Sequence, residues 1–121
     1  MWMHQNDELY AQLRGPGENM TVLVTATSQK DNKGTGYDEP QVMVLNYGKG
    51  RVFHHATGHD PIGMSSVDYG VLLQRGTEWA ATGKVTQKIP ANFPTATTVS
   101  YRVDIAATNP PPPPPKPAAV K

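Results

Sequence analysis

Residues 41–57 read QVMVLNYGKGRVFHHAT, and this segment determines the local architecture more firmly than any other part of the chain. Two runs rich in apolar and β-branched residues, 41–47 and 51–57, flank the turn Gly48-Lys49-Gly50. Glycine permits the tight backbone turn that joins antiparallel strands. The pattern therefore predicts a β-hairpin over residues 41–57.

The segments that precede the hairpin predict two further elements. Residues 21–27 (TVLVTAT) predict a strand, and their near-continuous apolar and β-branched character is typical of a strand covered on both faces. A short helix is predicted from Asn6 or Asp7 to Arg14, because either residue can cap a helix. Gly15-Pro16-Gly17 then ends it.

The segments after the hairpin predict a loop and a long helix. Residues 58–63 predict the loop, and Ser65 or Ser66 can cap a helix that runs to about Thr82. The glycine at position 83 is placed for a left-handed C-terminal cap. Helical spacing puts one stripe of residues on a common face, namely Tyr69, Leu72, Leu73, Gly76, Trp79 and Ala80. Gly76 in that stripe indicates a close approach to the sheet.

The C-terminal third of the chain predicts little regular structure. Pro90 and Pro94 interrupt the segment after the helix, so we expect an extended arm with an edge strand at 98–105. Residues 109–121 contain a proline run that favours polyproline II conformation. That run fits either a spacer or a ligand for an SH3-like groove.

Composition excludes several classes of function. The chain has 121 residues, no cysteine and a net charge of +1. Without cysteine, no disulfide framework, thiolate zinc site or cysteine nucleophile can form. Lysine and arginine are scattered rather than clustered, and no apolar run reaches the ~18–20 residues that span a bilayer. We expect no nucleic-acid or membrane partner.

The first residues lack the basic and apolar regions of a signal peptide. If the chain is complete, this absence predicts a cytoplasmic location.

Three of the four histidines lie within six residues, at positions 54, 55 and 59. His54 and His55 are neighbours in a predicted strand, so they point to opposite faces and cannot serve one site. His59 and Asp60 follow the strand end, where open α/β sheets gather ligand sites, and together could act as an acid–base pair. Alternatively, strand histidines pack in the core and Asp60 caps local backbone amides.

Two pairs of acidic residues are further candidates. Asp38 and Glu39 precede Pro40 at a strand entrance, where they could be functional or part of a solvated loop. Asp7 and Glu8 open the predicted N-terminal helix, where acids favour the helix dipole without any function.

A metal site at the histidines would need a third ligand, such as His4, Asp7 or Glu8. The spacing of these residues is not a zinc signature, and we expect no metal and no cofactor.

With these elements laid out, the chain resembles the ThuA-like (trehalose-utilisation-like) family over residues 2–96. The segments that carry the resemblance are DELY (7–10), RGPG (14–17), MTVL (20–23), EP (39–40), YGKGRVFH (47–54), GH (58–59), RGTEWAATG (75–83), KVT (84–86) and FPT (93–95).

The resemblance implies a class I glutamine amidotransferase-like fold, which is a flavodoxin-like α/β sandwich. The family's domain is longer than this chain, which is similar only to its C-terminal part. Residues 1–96 are then a partial sandwich with a β-hairpin and one main helix. Residues 97–108 are the arm or edge strand, and residues 109–121 are a proline-rich disordered tail.

The resemblance also implies catalytic residues. His59 matches the family histidine in Gly-His, and Asp60 is common beside it. Glu39 matches a family acid that is often preceded by histidine, whereas this chain has Asp38 there, a departure from a His–Glu site. We expect His59, Asp60 and Glu39 to be catalytic.

Four residues are implied in substrate binding. Asp7 and Glu8 match the family's Asp-Glu-Leu-Tyr segment, and His54 stands where aromatic residues or histidine are usual. Asp38 joins them as the neighbour of Glu39.

Family members are associated with carbohydrate metabolism, so the first hypothesis is a domain that binds or processes a sugar or sugar derivative. As a stand-alone chain, we expect weak or no catalysis. The second hypothesis is a non-catalytic binding or assembly module that uses an exposed sheet edge, which also allows a homo-oligomer.

Overall fold

The computed structural model describes residues 1–15 and 17–106, which contain one three-stranded antiparallel sheet. Strand β1 spans Met20–Thr27, β2 spans Asp38–Tyr47 and β3 spans Gly50–His55, and they lie in the order β1-β2-β3. A short 3₁₀ turn, Lys30–Asn32, lies between β1 and β2. The predicted proline-rich tail lies outside the described residues.

The predicted hairpin is confirmed. Strands β2 and β3 pair in register from Val42 opposite His55 to Tyr47 opposite Gly50. Gly48 in the turn has φ 56°, a backbone conformation that glycine adopts without steric cost.

Strand β1 is confirmed, but the prediction that it is covered on both faces is wrong for the described residues. It pairs along one edge with β2, and Leu23 in its middle is 56% exposed. The main helix packs against β3, which is the strand at the opposite edge of the sheet from β1. Among the described residues, the outer edge of this apolar strand therefore has no strand partner.

Two helices follow the hairpin, α1 at Pro61–Ser65 and α2 at Val67–Thr82. The long predicted helix is confirmed, including its left-handed cap at Gly83, which has φ 76°. The prediction of a loop over residues 58–63 is wrong from Pro61 onward. Asp60 accepts hydrogen bonds from the backbone N–H groups of Ile62 and Gly63, and proline at the first helical position is preorganised for a helix.

The predicted cap of α2 is correct in position but not in chemistry. Ser66 occupies the N-cap position, yet its hydroxyl makes no capping hydrogen bond and donates to the Asp68 carboxylate instead.

The core is small. Its buried apolar side chains are Val42, Met43, Val67 and Val71. Gly76 is buried as predicted, but the predicted stripe is wrong at Leu73, which is 43% exposed. Helix α2 packs against β3, and the small Gly76 lets the helix approach the Phe53 ring.

Replacement of Gly76 by alanine should destabilise the protein by about 1–3 kcal/mol, because a Cβ there would overlap the Phe53 ring. Gly70 in the same helix is the matched control, since its Cβ would meet nothing within 4 Å. Gly70→Ala should stabilise by up to about 1 kcal/mol through helix propensity. Urea denaturation of both variants checks this, and equal effects at the two positions would contradict the packing.

The predicted N-terminal helix is wrong, because residues 2–13 form an irregular segment instead. Local propensity is overridden by long-range hydrogen bonds. The Asp7 carboxylate accepts backbone N–H groups from the loop after β3, and the backbone N–H of Gln12 donates to Glu39. Gln12 has φ 55°, which a right-handed helix does not allow.

Residues 84–102 form no regular helix or strand, so the prediction of an edge strand at 98–105 is wrong. The arm forms one isolated bridge, Ser66 with Tyr101, and a single helical turn, α3, follows at Val103–Ala106. The backbone of Ser100 and Arg102 forms hydrogen bonds with Val67 and Ser65 at the α1–α2 junction rather than with the sheet. This segment therefore does not add a strand to the sheet. Among the described residues, no helix combines the length and apolar character that a membrane span requires.

Candidate functional site

Residues 2–12, here called the N-terminal segment, contact the loop after β3 and the start of α2. The backbone N–H of Gln5 donates to the Ser66 hydroxyl at 3.2 Å. On the sheet side, the Gln41 amide donates to the Tyr10 carbonyl oxygen at 2.9 Å. The segment thereby brings its own polar side chains next to His59.

The His59 ring lies between two side chains of the N-terminal segment. Its Nδ1 is 2.6 Å from the Tyr10 hydroxyl, and its Nε2 is 3.3 Å from a Glu8 carboxylate oxygen. The side chain of His59 is 46% exposed, so a ligand can reach it. Sequence analysis named His59 and Glu8 as candidates, and the structure brings them together.

Asp7 organises the loop that carries His59. One carboxylate oxygen accepts the Gly58 N–H at 2.6 Å and the other accepts the His59 N–H at 3.0 Å. The first oxygen also lies 3.1 Å from Nε2 of His4. Asp7 is therefore joined to the predicted site, although through the backbone rather than the ring of His59.

Asp68, at the start of α2, is the residue that sequence reasoning missed as part of the site. It is 3% exposed and accepts hydrogen bonds from Trp2 Nε1 at 2.9 Å, from the His4 ring at 2.8 Å and from the Ser66 hydroxyl. The sequence showed only an acid in the first turn of a helix. Its partners Trp2 and His4 are 66 and 64 residues away, and no local signal pairs them.

The charged groups of this cluster perturb one another. Burial alone would lower the pKa of His4, but hydrogen bonds and charge from Asp68 and Asp7 raise it above the ordinary value. Burial alone would raise the pKa of Asp68, but hydrogen bonds from His4, Ser66 and Trp2 lower it. Both shifts favour the ionised form of the His4–Asp68 pair.

His55 has a different environment on the helix-facing side of β3. Its ring stacks on Tyr69 with centroids 5.1 Å apart, and Nε2 lies 2.6 Å from the Thr57 hydroxyl. Burial, followed by the nearby charge of His4, lowers the pKa of His55. This agrees with the alternative of a packed core histidine.

A cavity of about 370 Å³ opens between the N-terminal segment, the sheet and α2. The polar and aromatic side chains around it include Trp2, His4, Asp7, Glu8, Gln41 and Asp68. Gln41 is 2% exposed, and its Oε1 has no hydrogen-bond partner among the described residues. Ligand pockets of proteins begin at about this volume.

Two of the candidate acids, Asp60 and Glu39, accept hydrogen bonds that stabilise the local fold. Asp60 caps α1, the role that sequence analysis gave as its alternative. Glu39 is 8% exposed and accepts hydrogen bonds from the Gln12 N–H at 3.1 Å and the Thr35 hydroxyl at 2.7 Å.

The remaining two candidates lie at the surface. Asp38 is exposed and accepts the Thr27 hydroxyl at 2.6 Å. His54 is exposed on the face of β3 opposite to His55 and Phe53. The catalytic and binding roles of these side chains stay predictions.

Within residues 1–15 and 17–106, no group of three or more histidine and carboxylate side chains is arranged to hold a metal ion. His4 and Asp7, which sequence analysis weighed as added metal ligands, bond to each other instead.

Comparison with known proteins supplies the family. A family model described as ThuA, trehalose utilisation, matches residues 1–80. The chain is also similar to the crystal structure of a protein described as ThuA-like from Parabacteroides merdae, with 50% identity and a TM-score of 0.77. That similarity covers 86% of this chain and 39% of the other, so the chain spans well under half of its neighbour's length. Curated proteins gave no match. Because the family model matches most of the chain, this protein belongs to the ThuA (trehalose utilisation) family.

Proposed function

We propose that the chain binds a sugar in the cavity lined by Glu8, whose carboxylate lies 3.3 Å from the His59 ring, as part of a role in trehalose utilisation. The observation that carries this proposal is the set of hydrogen-bonding side chains around one cavity, with Trp2 as an apolar surface. Carboxylates accept hydroxyl protons, while a histidine ring can donate or accept them. This combination suits a polyhydroxyl ligand.

The charge around the cavity favours an uncharged sugar. Asp7, Glu8 and Asp68 contribute carboxylates, and His4 contributes a positive charge. Among the described residues, no lysine or arginine side chain lines the cavity. A phosphorylated sugar would bring two negative charges against this surface, and like charges repel strongly where water is partly excluded.

His59 and Glu8 are suited to proton transfer. An imidazole within reach of a carboxylate can act as a general acid or base, and the Tyr10 hydroxyl fixes the other ring nitrogen. Since the chain spans 39% of its structural neighbour, we assign ligand binding to this chain and any turnover to a longer ThuA domain. In that domain the three strands would form part of a flavodoxin-like sandwich.

A second candidate function is assembly through the free edge of β1. Val22 and Leu23 are 40% and 56% exposed on that strand, which leaves apolar surface and backbone groups available to another chain. The sugar and assembly hypotheses predict different surfaces of contact.

Replacement of His59 by alanine should weaken trehalose binding about 10-fold, because the Glu8 carboxylate that lines the cavity loses its imidazole partner. Calorimetric or NMR titration of the purified chain measures this. Lys49→Ala in the hairpin turn is the control and should bind as the unmodified chain does. Trehalose 6-phosphate should bind more weakly than trehalose. Equal binding by His59→Ala, or tighter binding of the phosphate ester, would contradict the proposal.

A further inference from the structure

The His4 ring is held between two carboxylates that are almost completely buried. Its Nδ1 lies 2.8 Å from Asp68 and its Nε2 lies 3.1 Å from Asp7. The side chains of Asp68 and Asp7 are 4% and 7% exposed, and that of His4 is 23% exposed. We call these three residues the buried triad.

The hydrogen-bond pattern of the buried triad favours a charged His4. The Asp68 oxygen that faces His4 already accepts the indole N–H of Trp2 at 2.9 Å. The Asp7 oxygen that faces His4 already accepts the Gly58 N–H at 2.6 Å. Both ring nitrogens of His4 therefore face carboxyl oxygens, and only a doubly protonated ring can donate to both of them. This arrangement favours the imidazolium form of His4, in agreement with the raised pKa of that ring.

The triad is connected to His59 through the backbone. Asp7 accepts the N–H groups of Gly58 and His59 in succession, which fixes the direction in which the His59 side chain leaves the loop. Gly63 permits this approach, because a Cβ there would overlap the Asp7 carboxyl group. Gly58 has φ 88° and lies against the Tyr69 ring, so neither glycine tolerates a side chain.

We propose that the buried triad is a positioning device, in which the charged His4 anchors Asp7 to α2 so that Asp7 sets the place of the His59 ring. Without the His4 charge, Asp7 and Asp68 would be two buried carboxylates with no cation between them. The other titratable group that faces His4 is His55 on β3, whose electrostatic coupling to His4 is repulsive. That His59 belongs to a ligand site rests on the proposed function. The placement of its ring by Asp7 does not depend on that proposal.

The experiment is ¹⁵N NMR of the histidine rings and of the backbone amides, without sugar. In the unmodified chain, both His4 nitrogens should remain protonated at pH 7, where free imidazole, with a pKa of ~6.5, is mostly neutral. A neutral His4 with one protonated nitrogen at that pH would overturn the proposal.

Asp7→Asn tests the connection to His59. The asparagine keeps the size of Asp7 but lacks its charge, so the His59 amide signal and the His59 ring nitrogen signals should both shift. Asp104→Asn, at an exposed ion pair with Arg102, should change neither signal. Unchanged His59 ring and amide signals in a folded Asp7→Asn protein would overturn the proposal.

If Asp7→Asn fails to fold, hydrogen exchange in the unmodified chain tests the same connection. The Gly58 and His59 amides should exchange at least about 10-fold more slowly than in an open chain. Exchange at the open-chain rate would overturn the positioning role. A sugar that fails to bind while these NMR results hold would refute the proposed function alone.

Discussion

Replacement of Asp68 by alanine should lower the free energy of unfolding by about 3–5 kcal/mol, the usual cost of removing one partner from a buried ion pair. The change would leave the His4 cation with a single carboxylate and the Trp2 indole N–H without its acceptor. The described part of the chain has only four buried apolar side chains, so this is a large share of the total stability. Urea denaturation followed by circular dichroism measures the loss.

Two further variants separate charge from shape at Asp68. Asp68→Asn keeps the side-chain volume and should still be clearly destabilised, because the charge that balances His4 is lost. Asp104→Asn removes an acid from an exposed ion pair and should leave the urea midpoint unchanged, since exposed pairs contribute little. A loss below about 1 kcal/mol for Asp68→Ala would show that the buried pair does not hold the N-terminal segment.

The second large effect concerns how stability changes with pH. The free energy of unfolding should be highest near pH 6.5 and should decrease on both sides of that value. Burial and the charge of His4 lower the pKa of His55, so the unfolded chain binds more protons just below pH 6.5 and stability rises toward that value. The carboxylates raise the pKa of His4, so its contribution is complete below about pH 6.5 and is lost as pH rises through its folded-state pKa. Urea midpoints measured from pH 5 to 9 check this dome.

His4→Gln separates the two sides of the dome. The glutamine cannot be protonated, so the decrease in stability above pH 6.5 should disappear. The increase below pH 6.5 should remain, since it arises chiefly from burial of His55. A flat profile in the unmodified chain would contradict the assigned ionisation states.

Elements with strong local signals could be predicted from the sequence. The hairpin follows from apolar runs around Gly48-Lys49-Gly50, and the end of α2 follows from Gly83. The N-terminal helix could not be predicted correctly, because Asp7 forms hydrogen bonds with residues 51 and 52 positions away. The sequence does not reveal whether the carboxylate of a potential capping residue will cap its own helix or accept hydrogen bonds from a distant loop.

The candidate site was predicted in part. Asp7, Glu8 and His59 were named from the sequence and meet in the structure. Asp68 was not named as a site residue, because its burial depends on Trp2 and His4 folding back over α2. Pairing across more than 60 residues leaves no periodicity in the sequence to read.

The most direct measurement is a ¹H–¹⁵N spectrum of the unmodified chain during titration with trehalose. Trp2 lines the proposed sugar cavity, whereas Trp79 lies in a separate apolar groove, so the two indole N–H signals report on different surfaces. The sugar site predicts saturable shifts of the Trp2 indole and of the Gly58 and His59 amides, with the Trp79 indole unchanged. Absence of these shifts at millimolar trehalose, or shifts confined to β1 that follow protein concentration, would contradict the sugar site and favour assembly through that edge.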